Sequence, residues 1–183
     1  MGIFGLDFSL SFIAATLLVS GMGHLFGPTE FRRVIRSHGV FPSWLAGWIC
    51  IAVALLELSL GTLAGVSLRS AASLDARVSV LVATAGAGAA FLIYLRRLLS
   101  NPGEASACGC SPLSAPLTKA SIAPSVALII VSFVGFTATV VVGFDNQPSG
   151  LERVLPCLWG VTLSCMTMLY PAAVLQFGLR SNS

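Results

Sequence analysis

The stretch Trp44–Val66, WLAGWICIAVALLELSLGTLAGV, decides the fold class of this chain. It is apolar throughout apart from isolated small polar residues and one acidic residue, Glu57. Its length matches the roughly 20 residues that a helix needs to cross about 30 Å of hydrocarbon, whereas a membrane-crossing strand is about half as long. The stretch therefore predicts a membrane-spanning helix.

Four further stretches have a similar length and composition. Together with the first they predict spans at 8–26, 44–66, 78–95, 122–144 and 155–177. The chain is 56% hydrophobic and only 9% charged, with a mean hydropathy of +0.92, whereas a soluble domain carries about 25% charged residues. We predict an all-α integral membrane protein, a bundle of five transmembrane helices forming one domain over 1–183. The lipid bilayer is its expected partner, and the small, dispersed net charge of +3 argues against nucleic acid.

The positions of lysine and arginine predict the orientation. The connectors after the first and third spans are the most basic, with Arg32, Arg33, Arg36, Arg96, Arg97 and Lys119. Short connectors with such an excess face the cytoplasm in multi-pass proteins. On this prediction the connector 96–121 lies on the cytoplasmic side.

Two thiols one residue apart, Cys108 and Cys110, lie in the connector 96–121. Turn-forming residues surround them, which places them in a polar segment where a thiolate can form. A disulfide between residues so close would be strained and easily exchanged. The pair predicts a redox-active dithiol. Half of a soft-metal site, or two incidental cysteines, remain open as alternatives.

Other cysteines and histidines are weaker candidates. Cys50 lies about 9 Å into the second span on the same predicted side, and it is the candidate resolving thiol. His24 and His38 are also expected on that side, with His24 at the membrane interface. A mixed Cys–His site is geometrically open, but no spacing matches a known zinc pattern, so we predict no metal.

Glu57 is the second candidate, as a proton relay or a contact for a quinone headgroup. An ionisable group inside a span faces the bundle interior and costs several kcal/mol unless it is paired or protonated. A structural hydrogen bond between helices explains it equally well. At its expected depth lie four hydroxyl side chains of other spans, which are the predicted partners: Thr16, Thr84, Ser132 and Ser164.

The order of these motifs resembles the MauE family, which belongs with the DoxX-like membrane proteins. The motifs are Gly23–Phe31 (GHLFGPTEF), Phe41-Pro42, Leu56–Gly61 (LELSLG) and Cys108-Gly109-Cys110. The resemblance covers about residues 8–145, and the last span fits only in being hydrophobic. Many relatives continue Cys-Gly-Cys with Phe-Gly, where this chain has Ser111-Pro112.

The resemblance implies a four-helix DoxX-like core with a C-terminal span in a bacterial inner membrane. It implies a link to methylamine utilisation, through maturation or export of the disulfide-rich small subunit of methylamine dehydrogenase, with a thioredoxin-like partner. Cys108, Cys110 and Glu57 match the family pattern by position. Since that role concerns proteins outside the cytoplasm, either electrons cross the bundle or the connector 96–121 faces outward.

The leading prediction is a membrane thiol–disulfide redox protein that supports maturation of a secreted enzyme by dithiol exchange at Cys108 and Cys110. One alternative is a non-enzymatic membrane assembly or export factor for the same enzyme. Another is a quinone-linked electron-transfer subunit of the DoxX type, or a metal-handling membrane protein. A quinone is the one cofactor that the residues suggest.

Overall fold

The protein is a helical bundle in the computed structural model, which describes residues 2–68, 72–100, 119–142 and 151–180. The helices are α1 (Gly2–Phe26), α2 (Pro28–Ser37), α3 (Ala46–Ser67), α4 (Leu74–Ser100), α5 (Ala123–Val142) and α6 (Leu151–Arg180), with a 3-10 turn at Lys119–Ile122 before α5. No strand occurs in these described ranges.

The long helices have the length and composition of membrane spans. In the part of the chain described, four segments meet these criteria: Phe4–Phe26, Ala46–Ser67, Leu74–Ser100 and Ala123–Val140. A shorter apolar segment, Val154–Leu169, lies within α6. The prediction of an all-helical, multi-pass membrane bundle is confirmed.

Local sequence explains where several helices begin and end. Gly27-Pro28 separates α1 from α2, and Pro28 is the first residue of α2, where a missing N–H has no cost. The hydroxyl of Ser73 accepts a hydrogen bond from the backbone N–H of Ala76 at the start of α4. Helix α4 begins at Leu74, ahead of the predicted span 78–95, and ends at Ser100, beyond it.

Helix α2 is short and amphipathic. Val34 and Ile35 are buried, whereas Arg32, Arg33 and Arg36 on the same helix are exposed. Ile35 packs against Ala46 and Cys50 at the start of α3. Helix α2 therefore covers one end of the bundle, which we call the α2 end.

Helix α1 is the central element of the bundle. It packs against α3, α5 and α6, and its span is 67% buried, against 28–33% for the other three spans. Its small polar side chains fit this position because they bond within the helix: Ser9 and Ser11 donate to the carbonyls of Gly5 and Asp7, each at 2.7 Å.

Close packing makes α6 part of the core around α1. At Gly160 of α6, an added Cβ would lie 2.6 Å from the carbonyl oxygen of Phe8 and 3.0 Å from the nitrogen of Phe12. The hydroxyls of Thr16 and Ser164 form a hydrogen bond of 2.8 Å between the same two helices. Small residues and interhelical hydrogen bonds are the main means of helix association in lipid.

The helices alternate in direction, which fixes what lies at each end. Gly21 contacts Leu58 while Gly61 contacts Leu18, so α1 and α3 are antiparallel. Gly88 of α4 contacts Ser125 and Ile129 at the start of α5. The last residue of α4, Ser100, and the turn at Lys119–Ile122 therefore lie at the α2 end, and the connector between them starts and finishes there.

Replacing Gly160 with alanine should destabilise the bundle, because the new Cβ would collide with backbone atoms of α1 that cannot move aside. Overpacking of this kind costs about 1–3 kcal/mol. We expect a lower unfolding temperature of the purified protein in detergent. Gly86→Ala is the matched control, since no atom of the described neighbouring residues lies within 4 Å of its added Cβ. Equal unfolding temperatures for the two variants would contradict this packing.

Candidate functional site

The site is built around a carboxyl–imidazole pair between α1 and α3. The hydroxyl of Ser20 donates to Oε1 of Glu57 at 3.0 Å. Oε2 of Glu57 lies 3.4 Å from Nε2 of His24, and the two side chains are 20% and 8% exposed. This contact is close enough for an ion pair but long for a hydrogen bond. Oε2 can therefore still accept a proton, or a hydrogen bond from a further donor.

Helix α2 positions His24. The chain turns at Gly27-Pro28, and Phe31 then stacks on the imidazole with a centroid distance of 3.7 Å and an interplanar angle of 15°. Gly21 lets α1 approach α3 beside Glu57, since a Cβ there would lie 2.9 Å from Cγ of Leu58 and 3.2 Å from its nitrogen. The imidazole is thereby held against the carboxyl group.

The predicted hydrogen-bond partners of Glu57 were wrong. Thr16 and Ser164 bond to each other, and the buried hydroxyls of Thr84 and Ser132 have no hydrogen-bond partner among the residues that the structure describes. Counting depth along each span assumes that all helices end at the same level. In this bundle α1 ends below α2, whereas α3 continues further toward the α2 end. Gly21 near the end of α1 therefore lies against Leu58 in the middle of α3.

The side chain of His24 is buried inside the bundle and faces Glu57, a pairing that the sequence analysis did not predict. Ser20 was missed as a partner of the acid. The available signal was the spacing of Ser20 and His24, which are four residues apart and therefore share one face of a helix. Nothing in the sequence paired that face with Glu57.

A cavity of about 330 Å³ adjoins Glu57. It lies between α1, α2, α3, α4 and α5, and most of its lining is apolar. The polar lining residues are His38, Glu57, Thr84, Tyr94 and Ser125, and the aromatic ones besides Tyr94 are Phe31, Phe41 and Phe91. An apolar pocket with a few convergent polar groups is the usual form of a small-molecule site.

Aromatic side chains enclose the cavity at the α2 end. Nδ1 of His38 and the hydroxyl of Tyr94 are 2.6 Å apart, joining the end of α2 to α4. The Tyr94 ring stacks with Phe91 and Phe41 at centroid distances of 6.0 and 6.2 Å. The wall of this part of the cavity is therefore made of flat rings with one hydrogen-bonded polar pair.

Of the three cysteines predicted to take part in thiol exchange, the structure describes Cys50, which lies at the α2 end. Cys50 is buried, and its Sγ faces the carbonyl oxygen of Pro28 at 3.9 Å beneath α2. Exchange with another thiol would require α2 to move. Cys108 and Cys110 lie outside the described residues, and the connector that carries them starts and finishes at the α2 end.

The two histidines serve different contacts. His24 pairs with Glu57, and His38 pairs with Tyr94. Among the described side chains, no group of three or more His, Cys, Asp or Glu residues is arranged to hold a metal ion.

The Glu57–His24 pair can be tested by a double-mutant cycle with Glu57→Ala and His24→Ala. We expect a coupling energy of about 1–2 kcal/mol in the free energy of unfolding in detergent. The reason is that both side chains are largely buried, so water screens their interaction only weakly. The matched control is the exposed pair Glu30–Arg33 on α2, whose coupling should stay below about 0.5 kcal/mol. Equal coupling in both cycles would contradict the description of the buried pair.

Comparison with known proteins assigns the family. Residues 1–143 match the family described as "Methylamine utilisation protein MauE". No curated protein and no solved structure shows significant similarity to the chain. The match covers α1 to α5 and includes Glu57 and the Cys108-Gly109-Cys110 motif. The chain belongs to the MauE family, which links this membrane protein to methylamine utilisation.

Proposed function

We propose that this protein is a membrane thiol–disulfide redox protein that supports maturation of a secreted, disulfide-rich enzyme of methylamine metabolism, such as methylamine dehydrogenase. Cys108 and Cys110 are the exchanging pair. The protein acts in the bacterial inner membrane, and a thioredoxin-like protein and the maturing amine dehydrogenase subunit are its proposed partners.

The exchange step conserves atoms and electrons. A thiolate of the partner protein attacks the Cys108–Cys110 disulfide, which forms a mixed disulfide and releases one of the two cysteines as a thiolate. A second thiol of the partner then attacks the mixed disulfide and releases the other cysteine. The partner gains one S–S bond, and Cys108 and Cys110 become two thiols. Regeneration of the disulfide then removes two electrons and two protons from the pair.

The observation that carries the proposal is the pairing of Glu57 with His24 near the α2 end. The connector with the two thiols starts and finishes at that end, so protons released there would meet a buried carboxyl group with accepting capacity. Ionisable groups held inside a membrane bundle commonly serve as proton relays. In this proposal Glu57 is the relay and His24 and Ser20 position its carboxyl group.

The exchange is tested by the double variant Cys108→Ser/Cys110→Ser in a methylamine-grown host. We expect loss of disulfide formation in the maturing dehydrogenase subunit, measured by thiol alkylation and mass spectrometry. Cys157→Ser/Cys165→Ser is the matched control and should leave maturation unchanged, because these thiols lie in α6. A normal disulfide content with Cys108→Ser/Cys110→Ser would refute the exchange and leave an assembly role.

The relay is tested by Glu57→Gln, which keeps a carbonyl oxygen for the Ser20 hydrogen bond but carries no titratable proton. We expect reoxidation of the Cys108–Cys110 pair to be about a hundredfold slower, at the lower end of the range of general acid–base effects. Glu30→Gln on the exposed face of α2 is the control. Full reoxidation rates with Glu57→Gln would assign Glu57 a structural role only.

A further inference from the structure

Helix α2 is attached to the bundle along one edge. Its residues Pro28, Arg32 and Ile35 recur at the spacing of a single helix face. The carbonyl of Pro28 faces Cys50, and Ile35 packs against the same residue. The guanidinium of Arg32 lies beside Gly47, one turn earlier in α3. This edge of α2 is therefore held against α3 along its whole length.

The opposite edge of α2 faces the cavity. Val34 and His38, four residues apart on that edge, both line the cavity, and Tyr94 of α4 lines it from the other side. Helix α2 packs mainly against α3, and the cavity lies between α2 and α4. A contact between this edge and α4 therefore has to cross the mouth of the cavity.

Tyr94 makes that contact. Its hydroxyl lies 2.6 Å from Nδ1 of His38, and its ring stacks with Phe41 at a centroid distance of 6.2 Å. Gly39 has a φ of 62°, a conformation that residues with a Cβ rarely adopt. The turn at Gly39 thus lets the residues on both sides of it reach one ring. We call these two contacts the Tyr94 latch.

We propose that α2 is a lid over the cavity, attached to α3 along one edge and released from α4 when the Tyr94 latch breaks. The structure shows the closed state. One hydrogen bond and one ring contact each contribute modestly to stability, so the open state is accessible from the closed one. Opening moves Val34 and His38 away from α4 and connects the cavity with the aqueous phase at the α2 end.

The consequence for proton transfer rests on the proposed function. Glu57 lines the cavity, and its side chain is 20% exposed. The open lid admits water to this side chain, and a proton that Glu57 has accepted then leaves through the cavity. The closed lid separates the carboxyl group from the aqueous phase at this end. Opening of α2 thus regulates the proposed relay.

The lid is tested by alkylation of a single cysteine on its cavity-facing edge. The full chain carries Val34→Cys, with serine in place of all five natural cysteines, and reacts in phosphatidylcholine nanodiscs with a water-soluble maleimide. We expect slow alkylation that Tyr94→Phe accelerates about fivefold, as expected for loss of one hydrogen bond. Ser37→Ala is the matched control and should leave the rate unchanged, because it removes a hydroxyl that bonds within α2.

Gly39 provides a second, independent pair of variants. Gly39→Ala places a Cβ on a residue with positive φ, so it should weaken the latch and accelerate alkylation of Val34→Cys. Asparagine tolerates this conformation better than alanine does. Gly39→Asn should therefore react more slowly than Gly39→Ala and close to the rate with Gly39. Equal rates for the two substitutions would contradict the role of the turn.

Native Cys50 distinguishes a lid from detachment of the whole helix. In a protein that keeps Cys50 as its only cysteine, Tyr94→Phe should leave alkylation slow, because the edge on α3 stays in place. Acceleration at Cys50 equal to that at position 34 would overturn the lid. Equal rates at position 34 with and without Tyr94→Phe would overturn it too.

The alkylated proteins lack Cys108 and Cys110, so the lid is tested independently of thiol exchange. Thiol-dependent maturation without any effect of Tyr94→Phe on alkylation would reject this inference alone. The expected alkylation pattern together with thiol-independent maturation would reject the proposed exchange alone.

Discussion

The structure depends on the burial of a polar helix at the centre of a membrane bundle. Helix α1 carries Ser9, Ser11, Thr16, Ser20 and His24, all buried. In hydrocarbon such groups need internal partners, and three solutions appear here: bonds to the helix's own backbone, the Thr16–Ser164 bond, and the contacts with Glu57. Glu57 of α3 and the polar residues Ser20 and His24 of α1 therefore provide each other with the polar contacts that both need in hydrocarbon.

Glycines make this arrangement possible. Gly21, Gly135 and Gly160 each lie where an added Cβ would come within 3.0 Å of a neighbouring helix. Close approach brings α3, α5 and α6 against α1, so that the central helix is shielded from lipid on most of its surface. The candidate site is a product of this packing, since the approach at Gly21 brings Glu57 to Ser20 and His24.

The sequence predicted the helical membrane architecture because long apolar runs determine it almost alone. Glu57 stood out as a candidate because it interrupts such an apolar run, where a carboxyl group is costly unless it is paired or protonated. Its partners could not be predicted, because they depend on where α1 stops relative to α3. The Gly27-Pro28 break is visible in the sequence, but the position of α2 over the bundle end depends on tertiary packing. The unpartnered hydroxyl of Thr84 is likewise a property of packing and has no sequence signature.

Helix α2 has a consequence for the level at which the protein sits in the bilayer. Arg33 and Arg36 are exposed, the partly free guanidinium of Arg32 lies beside Gly47 of α3, and Trp44 and Trp48 just after α2 are exposed. Arginine and tryptophan together favour the headgroup layer, where the guanidinium groups meet lipid phosphates. Helix α2, which lines one end of the cavity, is then a surface helix in the headgroup layer. Its arginines would bind an anionic leaflet more strongly than a neutral one.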